Sequence, residues 1–224
     1  MLVAIPGTMC APSVFRRLAE RLAGEMTVDA VSWMTEPGPW DIPTVADHIA
    51  ARIDEPALVL GHSTGGAIAL QLTLAHPAKV RGLVLVNTGA HLRGHGDADR
   101  ILVAMDADWG PELRAAVLDR SFATPPDPAD REELLAYATS VPKEVALAVL
   151  RSQRDLDLTP RLVELHCPVT VVHGVLDQAR TVDGAHELAA DIPGARLRLV
   201  ETGHTPVYEA PDAVAEEVLA IEEP

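Results

Sequence analysis

The stretch Ala57-Leu58-Val59-Leu60-Gly61-His62-Ser63-Thr64-Gly65-Gly66 decides how the rest of this chain is read. Ala57 to Leu60 is a continuous apolar run with no polar alternation, which describes a strand buried on both faces, as in a parallel sheet. The glycines break it, and a helix follows at once, from Ala67 to about Ala75, ended by Pro77. Within the break, Gly61-His62-Ser63-Thr64-Gly65 is a Gly-x-Ser-x-Gly pentapeptide. A serine on so tight a strand-to-helix turn sits in a strained backbone conformation, and its hydroxyl projects at the carboxyl end of the sheet. The flanking glycines let neighbouring backbone come close, because no Cβ intervenes. The helix N-terminus behind the serine adds positive potential where negative charge develops.

Outward from this turn, short apolar runs alternate with helical spacing. Leu2-Val3-Ala4-Ile5 is a strand stopped by Pro6-Gly7. Val14, Leu18 and Leu22 lie four apart on one helical face, with Ser13 as the expected cap. Met26 to Trp33 reads as a second strand, closed by Glu36-Pro37-Gly38-Pro39. Thr44 is expected to open a helix running to Ile53, with Asp47 as its capping-box partner. Val80 to Asn87, Val169 to Val172 and Arg196 to Val200 are further strands, and Pro211 to Ile221 is the last helix. Six strands alternating with helices give an α/β fold with a mainly parallel sheet.

From about His91 to Thr159 the rhythm changes. No strand pattern occurs there, and amphipathic helical stretches fall near 98–106, 111–121, 129–139 and 142–153. The chain is therefore expected to divide into a core, 1–90 with 160–224, and a helical insertion, 91–159.

Composition excludes some functions. The 224 residues carry 18 Lys plus Arg against 33 Asp plus Glu, a net charge of −15. So acidic a chain is a poor partner for nucleic acid or for anionic lipid. With 48% hydrophobic residues it can build a core, and with only 3% aromatic residues that core must be aliphatic. Cys10 and Cys167 do not make a disulfide framework. The first residues have no basic segment before their apolar run, and no apolar stretch approaches the ~20 residues needed to span a bilayer, so a cytoplasmic protein is expected.

A serine hydroxyl needs a base. Of nine histidines, His204 follows the last strand, in Thr202-Gly203-His204-Thr205-Pro206, and reaches the same sheet edge as Ser63. A histidine base needs an acid to orient it, and Asp177 follows the preceding strand, in His173-Gly174-Val175-Leu176-Asp177. The order Ser63, Asp177, His204 distinguishes this arrangement from other triads.

On these residues the chain resembles the α/β-hydrolase superfamily, and within it the small cofactor-free esterases and carbon–carbon hydrolases. Further matching pieces are Ile5-Pro6-Gly7-Thr8-Met9, Leu83-Val84-Leu85-Val86-Asn87, Val172-His173-Gly174, Ile192-Pro193-Gly194-Ala195, and Gly203-His204 with Glu209-Ala210-Pro211. The resemblance implies a three-layer fold with the insertion as a cap, or lid. It implies an oxyanion hole with one N–H from the loop after the first central strand: Thr8 by position, with Met9 the alternative. Thr64, directly after Ser63, is the second donor. Pro6-Gly7 stands where His-Gly is common in the family. The antiparallel hairpin that usually opens the family sheet is expected to be missing or reduced, leaving an edge that should be short or protected.

The function so implied is a serine hydrolase cleaving a carboxylic ester, lactone or thioester through an acyl-enzyme on Ser63, with no metal or organic cofactor. Two alternatives stay open: a biosynthetic thioesterase or cyclase acting on a tethered acyl chain, with an acyl-carrier protein as partner, and a non-catalytic ligand-binding member of the fold. The oligomeric state is left open. Other residues take plainer roles: His91 and His95 are not expected to bind metal, because Gly94 and Gly96 disrupt a helical pair. His62 and His173 should pack. Met105, Trp109 and Phe122 are expected in the helical core, with a pocket wall as the alternative, and Cys10 lies near the oxyanion loop. If Asp106, Asp108 and Glu112 face the opening, a negative mouth would disfavour anionic substrates.

Overall fold

The computed structural model describes residues 1–93 and 98–221. The first half of the chain forms β1 (Leu2–Ile5), α1 (Arg16–Leu22), β2 (Val28–Ala30), α2 (Ile42–Ala50), β3 (Ala57–His62), α3 (Thr64–Ala75) and β4 (Val80–Val86). Four helices follow: α4 (Ala98–Ala107), α5 (Pro111–Asp119), α6 (Pro128–Ser140) and α7 (Lys143–Asp155). The chain then returns through β5 (Val169–Gly174), α8 (Val182–Asp191), β6 (Arg196–Val200), α9 (Pro206–Glu209) and α10 (Pro211–Ala220). The strands form one six-stranded sheet in the order β2-β1-β3-β4-β5-β6, and every neighbouring pair is parallel. The loops after β1, β3, β4, β5 and β6 therefore all leave the sheet at one edge.

Alternation along the strands splits the core into two layers. Val3, Ile5, Val59, Leu83, Leu85 and Val171 pack with Ile49, Ile68 and Leu188 from α2, α3 and α8. Leu2, Ala4, Leu58, Leu60, Val84 and Val172 pack with Leu18, Leu22, Val214 and Val218 from α1 and α10. Burying one such leucine contributes roughly 1.5–3 kcal/mol. The three-layer α/β architecture is the one expected. Helix α3 is apolar on nearly every side because it packs on the central strands β1, β3 and β4 and against α2, with Ala67 to Leu70 all buried.

Both sheet edges are blunted. β2 has only three residues, and β6 carries the exposed Arg196 and Arg198, which pair with Glu217 and Glu216 at 3.4 and 3.8 Å. Helices α4 to α7 fall within two residues of the expected stretches and pack into both layers, Met105 and Val149 into the first, Leu118 and Leu134 into the second. α6 and the residue before it are also tied to α1 and α9: Arg16 meets Asp130 at 2.9 Å, Arg17 meets Asp127 at 2.6 Å, and the Tyr208 hydroxyl of α9 donates to Asp130 at 2.6 Å. Among the described residues no helix is long and apolar enough to cross a membrane.

Three local expectations are corrected. Ser13 is not a cap: residues Pro12–Phe15 form a 3-10 turn that leads into α1 without a side-chain cap. α2 begins at Ile42, and its cap is Asp41, which accepts from the Thr44 N–H at 3.0 Å. The Pro43 ring, locked in helical φ, suits the first turn and moves the start back. The strand expected over Met26–Trp33 shrinks to Val28–Ala30, because only those residues pair with β1.

Candidate active site

The turn after β3 is built by close backbone approach. A Cβ on Gly65 would lie 2.1 Å from the Ile5 carbonyl oxygen, so no larger residue fits where α3 crosses β1. Ser63 adopts φ 55° and ψ −123°, a region costing roughly 1–3 kcal/mol for a residue with a Cβ. The surroundings hold it there. Its N–H donates to the Val86 carbonyl at 2.9 Å, and its carbonyl accepts from the Thr88 hydroxyl at 2.6 Å and from the Gly66 N–H at 2.9 Å. The loop after β1 passes directly over it: a Cβ on Gly7 would meet the Ser63 Cβ at 2.8 Å.

His204, in the loop after β6, is held from two sides. Its Nδ1–H donates to Asp177 Oδ2 at 2.7 Å, which leaves Nε2 with the free lone pair. Its carbonyl accepts from His62 Nε2–H at 2.9 Å. Asp177, in the loop after β5, has no exposed side-chain surface. Its Oδ2 also accepts from Asn87 Nδ2 at 2.7 Å, and its Oδ1 accepts from the Ala179 N–H at 2.7 Å. Burial pushes the carboxyl up, but the hydrogen bond and charge of His204, with the donors Asn87 and Ala179, outweigh it and hold Asp177 below the ordinary carboxylate range. His62 shows the reverse: burial, reinforced by the charge of His204, presses its imidazole down to about 3, so it is neutral at physiological pH.

Thr8 and Thr64 face each other across the turn. The Thr8 hydroxyl donates to Thr64 Oγ1, and Thr64 Oγ1 donates to Gln153 Oε1 on α7, both at 2.9 Å. The Met9 N–H donates to Met34 Sδ at 3.0 Å. That commits the Met9 amide and leaves Thr8 as the stronger candidate of the two.

A cavity of about 480 Å³ opens over these residues, with Thr8, Ser63, Thr64 and His204 in its wall. Leu102, Met105, Val117, Leu118, Phe122 and Leu134 from the helices and loop between β4 and β5 form its apolar side. Cys10 also lines it. Trp109 packs against the core instead, beneath Arg114. Asp106, Asp108 and Glu112 do not line the cavity, so the condition for a negative mouth is not met in its described wall, whose charged side chains are Arg114, Arg120 and Arg180. α4 and α5 turn their acids to solvent and their apolar stripes inward.

Residues 2–217 match the Alpha/beta hydrolase family. The chain belongs to that family. A pimeloyl-[acyl-carrier protein] methyl ester esterase of Neisseria meningitidis serogroup B is 29% identical over 188 residues, 79% of this chain and 73% of the esterase. A stretch of the polyketide synthase ThaQ of Burkholderia thailandensis is 30% identical over 98% of this chain, but that alignment spans only 12% of the synthase. The crystal structure of a hydrolase from Pseudomonas aeruginosa PA01 superposes with a TM-score of 0.86, covering 100% of this chain and 90% of its own, at 23% identity. The hydrolase class expected from the sequence stands with this membership.

In this hydrolase, Asn87, Gln153 and Arg180 join the site without having been singled out in the sequence. Asn87 was visible only as the end of a strand, and its signal is a polar residue directly after a wholly apolar run. Gln153 follows Val145 and Val149 at a spacing of four, a polar residue on the buried stripe of α7. His173 packs at the end of β5, as expected. His95 lies outside the described residues; His91 Nδ1 accepts from the Arg93 N–H at 3.1 Å. Among the described residues no group of three or more His, Cys, Asp or Glu side chains is placed to hold a metal.

Proposed function

We propose that this hydrolase cleaves carboxylic esters, lactones or thioesters through an acyl-enzyme on Ser63. His204 Nε2 takes the Ser63 proton as the hydroxyl attacks the carbonyl carbon. Asp177 fixes the His204 tautomer and stabilises the imidazolium. The N–H groups of Thr8 and Thr64 receive the oxyanion, and one such donor is worth roughly 2.7–4 kcal/mol in the transition state. His204 returns the proton to the leaving alcohol or thiol, then activates water to release the acid. No step draws on a metal or organic cofactor. Residues 91–159 act as a cap over the core formed by 1–90 and 160–224, and the protein works in the cytoplasm on a small ester or acyl substrate.

The observation that carries this reading is the wall of one cavity holding Ser63, on its strained turn, together with His204, whose Nδ1 is committed to Asp177. Ser63→Ala should lower kcat on an aryl ester by at least about 10³-fold with the fold retained; turnover at the parent rate would sink the reading.

A second reading, hydrolysis of an acyl chain tethered to a carrier protein, is supported by the name of the meningococcal relative, whose ester is carried on an acyl-carrier protein. A higher kcat/KM on an acyl-carrier ester or thioester than on the free ester of the same chain would favour it.

A further inference from the structure

The cavity wall differs in charge from the rest of the molecule. The chain as a whole carries −15, yet Arg114, Arg120 and Arg180 line the cavity and no Asp or Glu appears in its described lining. Arg180 is the unusual member. It is 7% exposed, follows Asp177 by three residues, and its Nη1 has no hydrogen-bond partner. A desolvated guanidinium nitrogen without a hydrogen bond is costly, and such groups are normally paired.

The nearest acid does not supply the pairing. Both Asp177 oxygens are committed, Oδ2 to His204 and Asn87 and Oδ1 to the Ala179 N–H. Desolvation presses Arg180 down to about 10 against the opposing charge of Asp177, so it remains a cation at neutral pH. Arg114, also in the wall, has an unpartnered buried Nε, and its Nη1 donates to the Thr139 carbonyl at 3.2 Å.

From the arginine-lined wall and the unpartnered Nη1 of the buried Arg180 that helps to form it, we propose that Arg180 is a specificity-determining residue that binds a carboxylate carried by the substrate. The ester is cleaved at Ser63 while a second, free carboxylate on the same molecule is held by the guanidinium. A carboxylate suits the planar fork of arginine and supplies the charge and acceptor oxygens that the fold withholds. This deepens the ester-hydrolase reading and rests on it.

The test compares matched substrates in the parent, in Arg180→Met and in Arg180→Lys. Monomethyl adipate against methyl hexanoate places the charge on the acyl side. The butyryl ester of glycolic acid against ethyl butyrate places it on the alcohol side. In Arg180→Met, kcat/KM should fall at least about tenfold on one charged ester and change less than about threefold on its neutral match, with partial recovery in Arg180→Lys. The affected pair tells which side of the ester carries the carboxylate. Equal losses on charged and neutral esters, or no loss on either, would overturn the proposal. Binding of free adipate to the Ser63→Ala protein is a readout independent of turnover. It should be abolished by adding Arg180→Met, and its persistence would also overturn the proposal. Should the parent cleave none of the four esters, the ester-hydrolase reading fails instead, and the adipate titration still decides the role of Arg180.

Discussion

At the turn between β3 and α3, position is dictated by backbone against backbone: Gly65 on the Ile5 carbonyl, Gly7 on Ser63, the Ser63 amide on Val86. In α4 to α7, position is dictated mainly by apolar stripes and side-chain ties such as Arg16 to Asp130, and much of each helix faces solvent: Ile101 is 40% exposed and Val103 69%. The first region tolerates almost no change in shape, whereas the second tolerates many sequences. The chemistry is thus placed in rigid geometry, and the choice of substrate is placed in a surface that can vary without disturbing it.

Substitutions in each region should break or sharpen this contrast. Gly65→Ala is expected to have the largest effect, a loss of at least about 3 kcal/mol, since neither carbonyl nor helix can yield and overpacked sites commonly cost 1–3 kcal/mol even where they can. Thermal or urea unfolding would measure it, and a variant within about 0.5 kcal/mol of the parent would deny the backbone constraint. Asn87→Ala should act between the two extremes. It removes a donor to Asp177 and leaves the Gly174 N–H, now 3.1 Å from Asn87 Oδ1, without its acceptor. We expect kcat to fall about tenfold with KM nearly unchanged, because Asn87 positions Asp177 and does not line the cavity; a change in KM alone would contradict that role. Ile101→Ala should have the smallest effect on the fold, about 0.5–1 kcal/mol, because its side chain is already partly in water. Ile101 lines the cavity, so the same change should shift the acyl-length preference several-fold, read as a ratio of kcat/KM values across a homologous ester series. Equal effects on every chain length would dissolve the division of labour.

The same contrast explains what could be read in advance. β1, β3, β4 and β5 are legible because burial on both faces demands unbroken apolar runs, and the order Ser63, Asp177, His204 follows from the strands that each residue trails. β2 was read too long because apolar residues continue past Ala30 while pairing stops there. α8 went unread because only Ala185 and Leu188 are buried along it, too thin a stripe to stand out. The charge of the cavity wall was not legible. Sequence supplies the number of acids in a helix but not the direction each faces, and a buried arginine such as Arg180 runs against every compositional expectation.

The hydroxyl relay from Thr8 through Thr64 to Gln153 links a loop of the sheet, the turn after Ser63 and α7. The Thr64 hydroxyl accepts from Thr8 and donates to Gln153, so it fixes the direction of both bonds at once. A substitution at Gln153, on a helix outside the sheet, is thereby felt at the turn after Ser63.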